Sequence, residues 1–169
     1  GPNGTVGVME LAGQSYLYVN GVPQSSTDAL ATPMLAAQIP FALNPAARTV
    51  LNVGLGAGTT AGHALQFPIQ RLDVAEISED VVRSARFFES VNSGVTHDPR
   101  THLYVEDALG MLKREDRSYD VVISIPSHIW TAGVGRLFSV EFYQLVRRRL
   151  NQGGVMAQWF HNYHISDDD

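Results

Sequence analysis

Val50-Leu51-Asn52-Val53-Gly54-Leu55-Gly56-Ala57-Gly58-Thr59-Thr60 decides the fold. Strand-compatible residues run into three glycines at alternate positions, Gly54, Gly56 and Gly58, and a helix-compatible segment follows. This reads as a strand that ends in a glycine-rich turn and feeds a helix. Such a turn lets backbone approach a ligand where a side chain would block it.

Downstream the chain keeps alternating. Val50–Val53 is the expected first strand and Thr59–Gln66 its helix. Strand Arg71–Glu76 precedes helix Glu79–Ser90, strand Thr101–Val105 precedes a helix near 107–114, and Tyr119–Ser124 is the most apolar strand. Helix Ser139–Leu150 is closed by Asn151-Gln152-Gly153-Gly154, and Val155–Phe160 is the fifth strand. Alternation of this kind implies a parallel sheet, helices on both faces and right-handed crossovers.

Upstream, Asn20-Gly21 is a hairpin turn signal between Gln14–Val19 and Val22–Ser25, and Gly4–Leu11 is a further short strand candidate. Thr27-Asp28 is expected to cap a helix over about 29–39, with Thr32-Pro33 as the alternative start; it is buried through Leu30, Met34 and Leu35 and ended by Pro40 and Asn44-Pro45. Residues 1–26 therefore read as a β-hairpin element and 27–169 as a Rossmann-like nucleoside-binding domain.

Composition narrows the function classes. At 169 residues the chain is long enough for one domain with a proper core. A net charge of -5 argues against a nucleic-acid surface. With no cysteine there is no disulfide, thiolate catalysis or cysteine-held metal. No apolar run approaches the roughly 20 residues that span a bilayer, and no signal-peptide pattern is present. Gly1-Pro2 looks like a protease-cleavage remnant and Ser166-Asp167-Asp168-Asp169 like a cut helix start, so more chain is expected at both ends. A cytoplasmic location is expected.

Two carboxylates give the glycine turn a chemical meaning. Glu76 ends the second strand 22 positions after Gly54, where a carboxylate accepts from both ribose hydroxyls of a nucleoside. Asp107 sits just past the third strand, followed by Ala108, where a carboxylate can accept from an adenine amino group. Gly54, Leu55, Gly56, Gly58, Glu76, Asp107 and Ala108 are the expected nucleoside-binding residues. The G-x-G-x-G spacing departs from the G-x-G-x-x-G turn that binds NAD.

The chain resembles the spermidine synthase family of aminopropyltransferases, within the S-adenosylmethionine-dependent methyltransferase fold. Val19-Asn20-Gly21-Val22-Pro23-Gln24-Ser25 is similar to the family's hairpin L-D-G-x-x-Q-S. Val53–Gly58 resembles its nucleoside loop as read in members fused to membrane domains, and Val74-Ala75-Glu76-Ile77 resembles V-E-I-D with Ser78 at the aspartate. Asp98-Pro99-Arg100 with Glu106-Asp107-Ala108, Tyr119–Ile123, Leu137–Tyr143 and Leu150–Gly154 resemble further family stretches. The resemblance implies a parallel sheet of order 3-2-1-4-5, apparently lacking its last two strands, with decarboxylated S-adenosylmethionine or S-adenosylmethionine as co-substrate and a polyamine acceptor. It implies Gln24 and Ile77 as further nucleoside-binding residues, and it implies no metal. It also leaves open a membrane domain in the full-length protein and a homodimer formed at an exposed sheet edge.

The departure lies after the fourth strand, at Ser124-Ile125-Pro126-Ser127-His128-Ile129-Trp130. Where the family places acidic residues that hold and deprotonate the attacking amine, this chain has Ile125, and the second such position falls on His128. His128 is the one candidate base. His161 and His164 read as structural, for want of a third metal ligand, and Arg147-Arg148-Arg149 as a solvated helix C-terminus. Three readings follow: an aminopropyltransferase, a catalytically silent nucleoside-binding or scaffolding domain, and a methyltransferase acting on another acceptor.

Overall fold

A computed structural model describes residues 4–126 and 134–160. The expectations for His128, Trp130, His161, His164 and Ser166–Asp169 lie outside these residues.

Strands β1 (Val6–Leu11), β2 (Gln14–Val19) and β3 (Val22–Ser26) form an antiparallel sheet in that order. Asn20 and Gly21 take φ of +53° and +77°, the left-handed pair that a two-residue hairpin turn needs. The Asn20 side chain also closes the turn, its Oδ1 accepting from the Thr5 amide at 2.9 Å. Gly4–Leu11 thus contributes a full strand, β1, and the hairpin is a three-stranded sheet.

Helix α1 (Ala31–Leu43) differs from expectation at both ends. Thr27 does not cap it. Its hydroxyl accepts from the Ser15 amide and donates to Gln14 Oε1, so it ties the strand end to β2. Asp28 accepts instead from the Tyr16 hydroxyl at 3.3 Å, and Leu30 starts the helix without a side-chain cap. Pro40 does not end it either, whereas Asn44, before Pro45, does. The Pro40 ring is buried with Ala37 and Phe41, and the Pro40 carbonyl still accepts from the Asn44 amide at 2.8 Å. Only proline's own donor is lost, against the burial of a face on which Phe41 stacks on Phe67 at 3.9 Å between ring centres. The buried stripe is Ala37, Pro40 and Phe41, and Leu35 is exposed.

The second sheet is parallel: β4 (Thr49–Val53), β5 (Arg71–Ala75), β6 (Thr101–Tyr104), β7 (Tyr119–Ser124) and β8 (Leu150–Gln158), ordered β6-β5-β4-β7-β8. In chain order this is 3-2-1-4-5, as expected. One face is covered by α1, α2 (Thr59–Ala64) and α3 (Glu79–Ser84), burying Val50, Leu72, Val74, Val121 and Ile123. Leu17 of β2 joins this core and locks the small sheet onto it. The other face, with Leu51, Val53 and Val122, lies under α5 (Ala108–Arg114) and α6 (Val140–Arg149).

Two boundaries shift. The expected helix Glu79–Ser90 is broken into α3, a 3-10 turn over Ala85–Phe88 and α4 (Glu89–Asn92). At the other end α6 passes directly into β8, so Asn151–Gly154 belongs to the strand rather than to a loop. Asn151 is held there by donating to Asp120 Oδ1 at 2.7 Å. Nor is Arg149 simply solvated: it donates to the Leu112 carbonyl and to Asp116 Oδ1, clamping α6 to the end of α5.

Candidate nucleoside site

The site lies where β4, β5, β6 and β7 all end. Open α/β sheets bind ligands at this edge, because the loops leaving the strands splay apart there. The Gly54 amide donates to the Ala75 carbonyl at 2.8 Å, so the glycine turn begins anchored to the end of β5. Gly54, Gly56 and Gly58 all have positive φ, at +82°, +56° and +84°. At Gly56 a Cβ would stand 3.0 Å from the Ser25 hydroxyl, because the small sheet presses on the turn. At Gly62, in α2, a Cβ would come within 2.2 Å of the Asn92 carbonyl, so that helix tolerates no side chain there.

Glu76 faces back onto the turn. One carboxylate oxygen accepts from the Leu55 amide at 2.8 Å and the other from the Ser78 amide at 2.9 Å. The group is 8% exposed, and burial raises its pKa above the usual glutamate value despite these backbone donors. The Gly56 and Ile77 amides also favour its charged form.

A cavity of about 880 Å³ opens over this edge, within the size range of small-molecule sites. Gly54, Leu55, Gly56, Glu76, Ile77, Asp107, Ala108 and Gln24 all line it. Gly58 faces elsewhere, packed against Val95 and Asn92 as the residue that starts α2. Asp107 caps α5 by accepting from the Gly110 amide at 3.2 Å, so its capping and cavity-lining places coincide. Ile125, just past β7, lines the cavity and packs against the first core. Among the described residues the cavity's carboxylates are Glu76, Glu106 and Asp107. Glu106 is bound through both oxygens by Arg114, and Asp107 lies 3.6 Å from the Arg136 guanidinium.

Sequence reasoning passed over two residues. Asn92 is buried behind the turn. Its Nδ2 donates to the Ala57 and Ala85 carbonyls at 2.9 and 2.8 Å, and its Oδ1 accepts from the Gly94 amide at 3.0 Å. Asn52, in mid-strand, lines the cavity and is 4% exposed. An amide between Leu51 and Val53 in a strand buried on both faces was the available signal. Among the described residues no group of three or more His, Asp or Glu could hold a metal ion, and no helix is long and apolar enough to cross a membrane.

Residues 31–168 match the spermine/spermidine synthase domain family. The chain belongs to this family. It is 31% identical over 120 residues to a polyamine aminopropyltransferase of Alkaliphilus oremlandii, covering 70% of this chain and 42% of that one. Against a polyamine aminopropyltransferase of Mycobacterium tuberculosis it is 35% identical over 121 residues, covering 69% and 23%. Among solved structures it is similar to a spermidine synthase in complex with the transition state analogue AdoDATO, with a TM-score of 0.82, 22% identity and coverage of 89% and 53%. The spermidine synthase of Thermotoga maritima gives 0.78 at 22% identity, with coverage of 89% and 52%. The chain thus spans about half the length of these solved relatives, and they share its α/β fold.

Proposed function

We propose that this domain holds an adenosyl–sulfur nucleoside of the decarboxylated S-adenosylmethionine type, as the aminopropyl donor of a transfer to an amine. The observation that carries the reading is Glu76, a buried carboxylate in the cavity wall beside a glycine turn, together with Asp107 at the next strand end. Glu76 takes the ribose hydroxyls and Asp107 the adenine amino group. In the transfer, an amine lone pair attacks the carbon next to the sulfonium. The carbon–sulfur bond breaks toward sulfur, a neutral thioether nucleoside leaves, and the amine's proton passes to a base.

A second reading is favoured by Ile125 and by the engagement of Glu106 and Asp107 with arginines. In it the domain binds the nucleoside and does not transfer the aminopropyl group, because among the described residues no unengaged carboxylate faces an acceptor amine. Nothing specific supports a methyltransferase over these two.

Calorimetry with decarboxylated S-adenosylmethionine, S-adenosylmethionine and methylthioadenosine, followed by an assay with putrescine, separates them. Binding with turnover establishes the transferase. Binding without turnover leaves the silent domain. If none of the three nucleosides binds, both readings fail. Glu76→Ala is expected to abolish nucleoside binding while the far-ultraviolet circular dichroism stays unchanged.

A further inference from the structure

Asn52 lies on β4 between Val74 of β5 and Ile123 of β7, on the face that α1 covers. Its Nδ2 donates to the Gly54 carbonyl. That bond fixes the amide orientation, because the reverse flip would set two acceptors against each other. The other end, Oδ1, is buried and has no hydrogen-bond partner among the described residues, and Asn52 stands in the cavity wall. A buried acceptor left unmatched is destabilising, so a strand-interior asparagine of this kind points to a donor that arrives with the ligand.

The strand order says which donor. If Asp107 at the β6 end takes the adenine and Glu76 at the β5 end the ribose, then the β4 end faces the next part of the molecule, the arm carried on sulfur. Within that arm the hydrogen-bond donor is its primary ammonium. With Glu76 and Asp107 assigned to the ribose and adenine and Glu106 bound by Arg114, Asn52 Oδ1 is, among the described residues of the wall, the buried side-chain acceptor left without a partner. We infer that Asn52 is a specificity-determining residue, whose side-chain carbonyl accepts from the ammonium of the nucleoside's aminopropyl arm. This rests on the nucleoside reading proposed above.

The test uses two ligands with the same uncharged sulfur. One is methylthioadenosine. The other is the adenosyl thioether carrying an aminopropyl arm, which adds two methylenes and a terminal ammonium, so the ammonium's share is read from the change in preference between wild type and variant. Wild-type protein is expected to bind the amine-bearing thioether about tenfold more tightly by calorimetry, the scale of one hydrogen bond from a charged donor. In Asn52→Leu that preference is expected to vanish while methylthioadenosine affinity stays within about twofold, which also shows that the variant folds. Asn52→Ser, smaller and still polar, is expected to behave the same way and serves if the leucine variant does not fold. Equal losses for both ligands would make Asn52 a brace for the glycine turn, and an unchanged preference would place the ammonium elsewhere; either overturns the assignment. Failure of wild-type protein to bind methylthioadenosine would instead remove the nucleoside reading and this inference with it.

Discussion

Glu76 carries its charge where little water reaches, and this makes nucleoside binding sensitive to acid. Hydroxyls donate to the ionised carboxylate, while burial raises the folded-state pKa above the ordinary 4.5. Nucleoside affinity is therefore expected to fall as pH is lowered, with a midpoint above 4.5, and Glu76→Gln should flatten the profile. Fold stability moves the other way. A raised carboxylate pKa contributes stability that is present at low pH and lost as pH rises through the folded value. Calorimetry gives one slope and the difference between thermal melts of empty wild-type protein and Glu76→Gln over the same pH series gives the other, since carboxylates such as Asp98 and Asp120, held below their ordinary values, contribute equally to both melts; slopes of equal sign would contradict the assignment. Ile125 invites the converse experiment. Ile125→Asp places a carboxylate at the end of β7, beside the expected arm, and turnover with putrescine in that variant alone would show that the missing carboxylate is what silences the chain. Glu76 and Asp107 were legible in the sequence because strand-end spacing determines where a carboxylate falls. Asn52 was not, because it sits inside an apolar strand and only the orientation of its amide shows which end is unpartnered.

At the scale of elements, the glycine turn keeps its shape by support from behind. Asn92, at the end of α4, satisfies two carbonyls and one amide, and one of those carbonyls is Ala57 in the turn itself. Asn92→Ala is expected to cost about 2 kcal/mol in urea unfolding, the price of buried backbone groups left unpaired. It should also weaken nucleoside binding through the displaced turn, although Asn92 does not line the cavity. Unchanged affinity at full occupancy of the folded state would show that the turn holds its geometry without it. This brace was invisible in the sequence because Asn92 pairs with Ala57 across 35 positions. The same limit explains α1. Local rules put its cap at Thr27-Asp28 and its end at Pro40, but Thr27 is more useful to β2, and Pro40 stays helical because its ring and Phe41 are buried. Strands β4 to β7, by contrast, were legible to within one residue, since runs buried on both faces have few alternatives, whereas β8 starts five residues before the expected Val155.

Across the whole molecule, binding and stability are assigned to different places. The order β6-β5-β4-β7 sets the expected adenine, ribose, arm and acceptor subsites side by side along one edge. On the α5–α6 face of the same sheet, Asp73 is fully buried and accepts from Arg71 Nε at 2.7 Å, Arg117 Nη1 at 3.0 Å and the Tyr119 hydroxyl at 2.8 Å. Tyr104 adds its hydroxyl to both arginines, so β5, β6 and β7 are joined by one charged network, none of whose members lines the cavity. Removing the carboxylate leaves two guanidinium groups without their shared anion and a buried phenol without its acceptor. Because both arginines are partly exposed and can turn to water, Asp73→Ala is expected to destabilise by about 3 kcal/mol, the low end for breaking a buried pair. Nucleoside affinity of the folded variant should stay within about twofold of wild type, since the glycine turn, Glu76 and Asp107 are held by bonds outside this network. Asn92→Ala is expected to lower both quantities and Asp73→Ala only stability. Urea unfolding and calorimetry on the two variants would reveal whether this sheet transmits strain from its ionic network to its binding edge: a large affinity loss in Asp73→Ala would mean that it does.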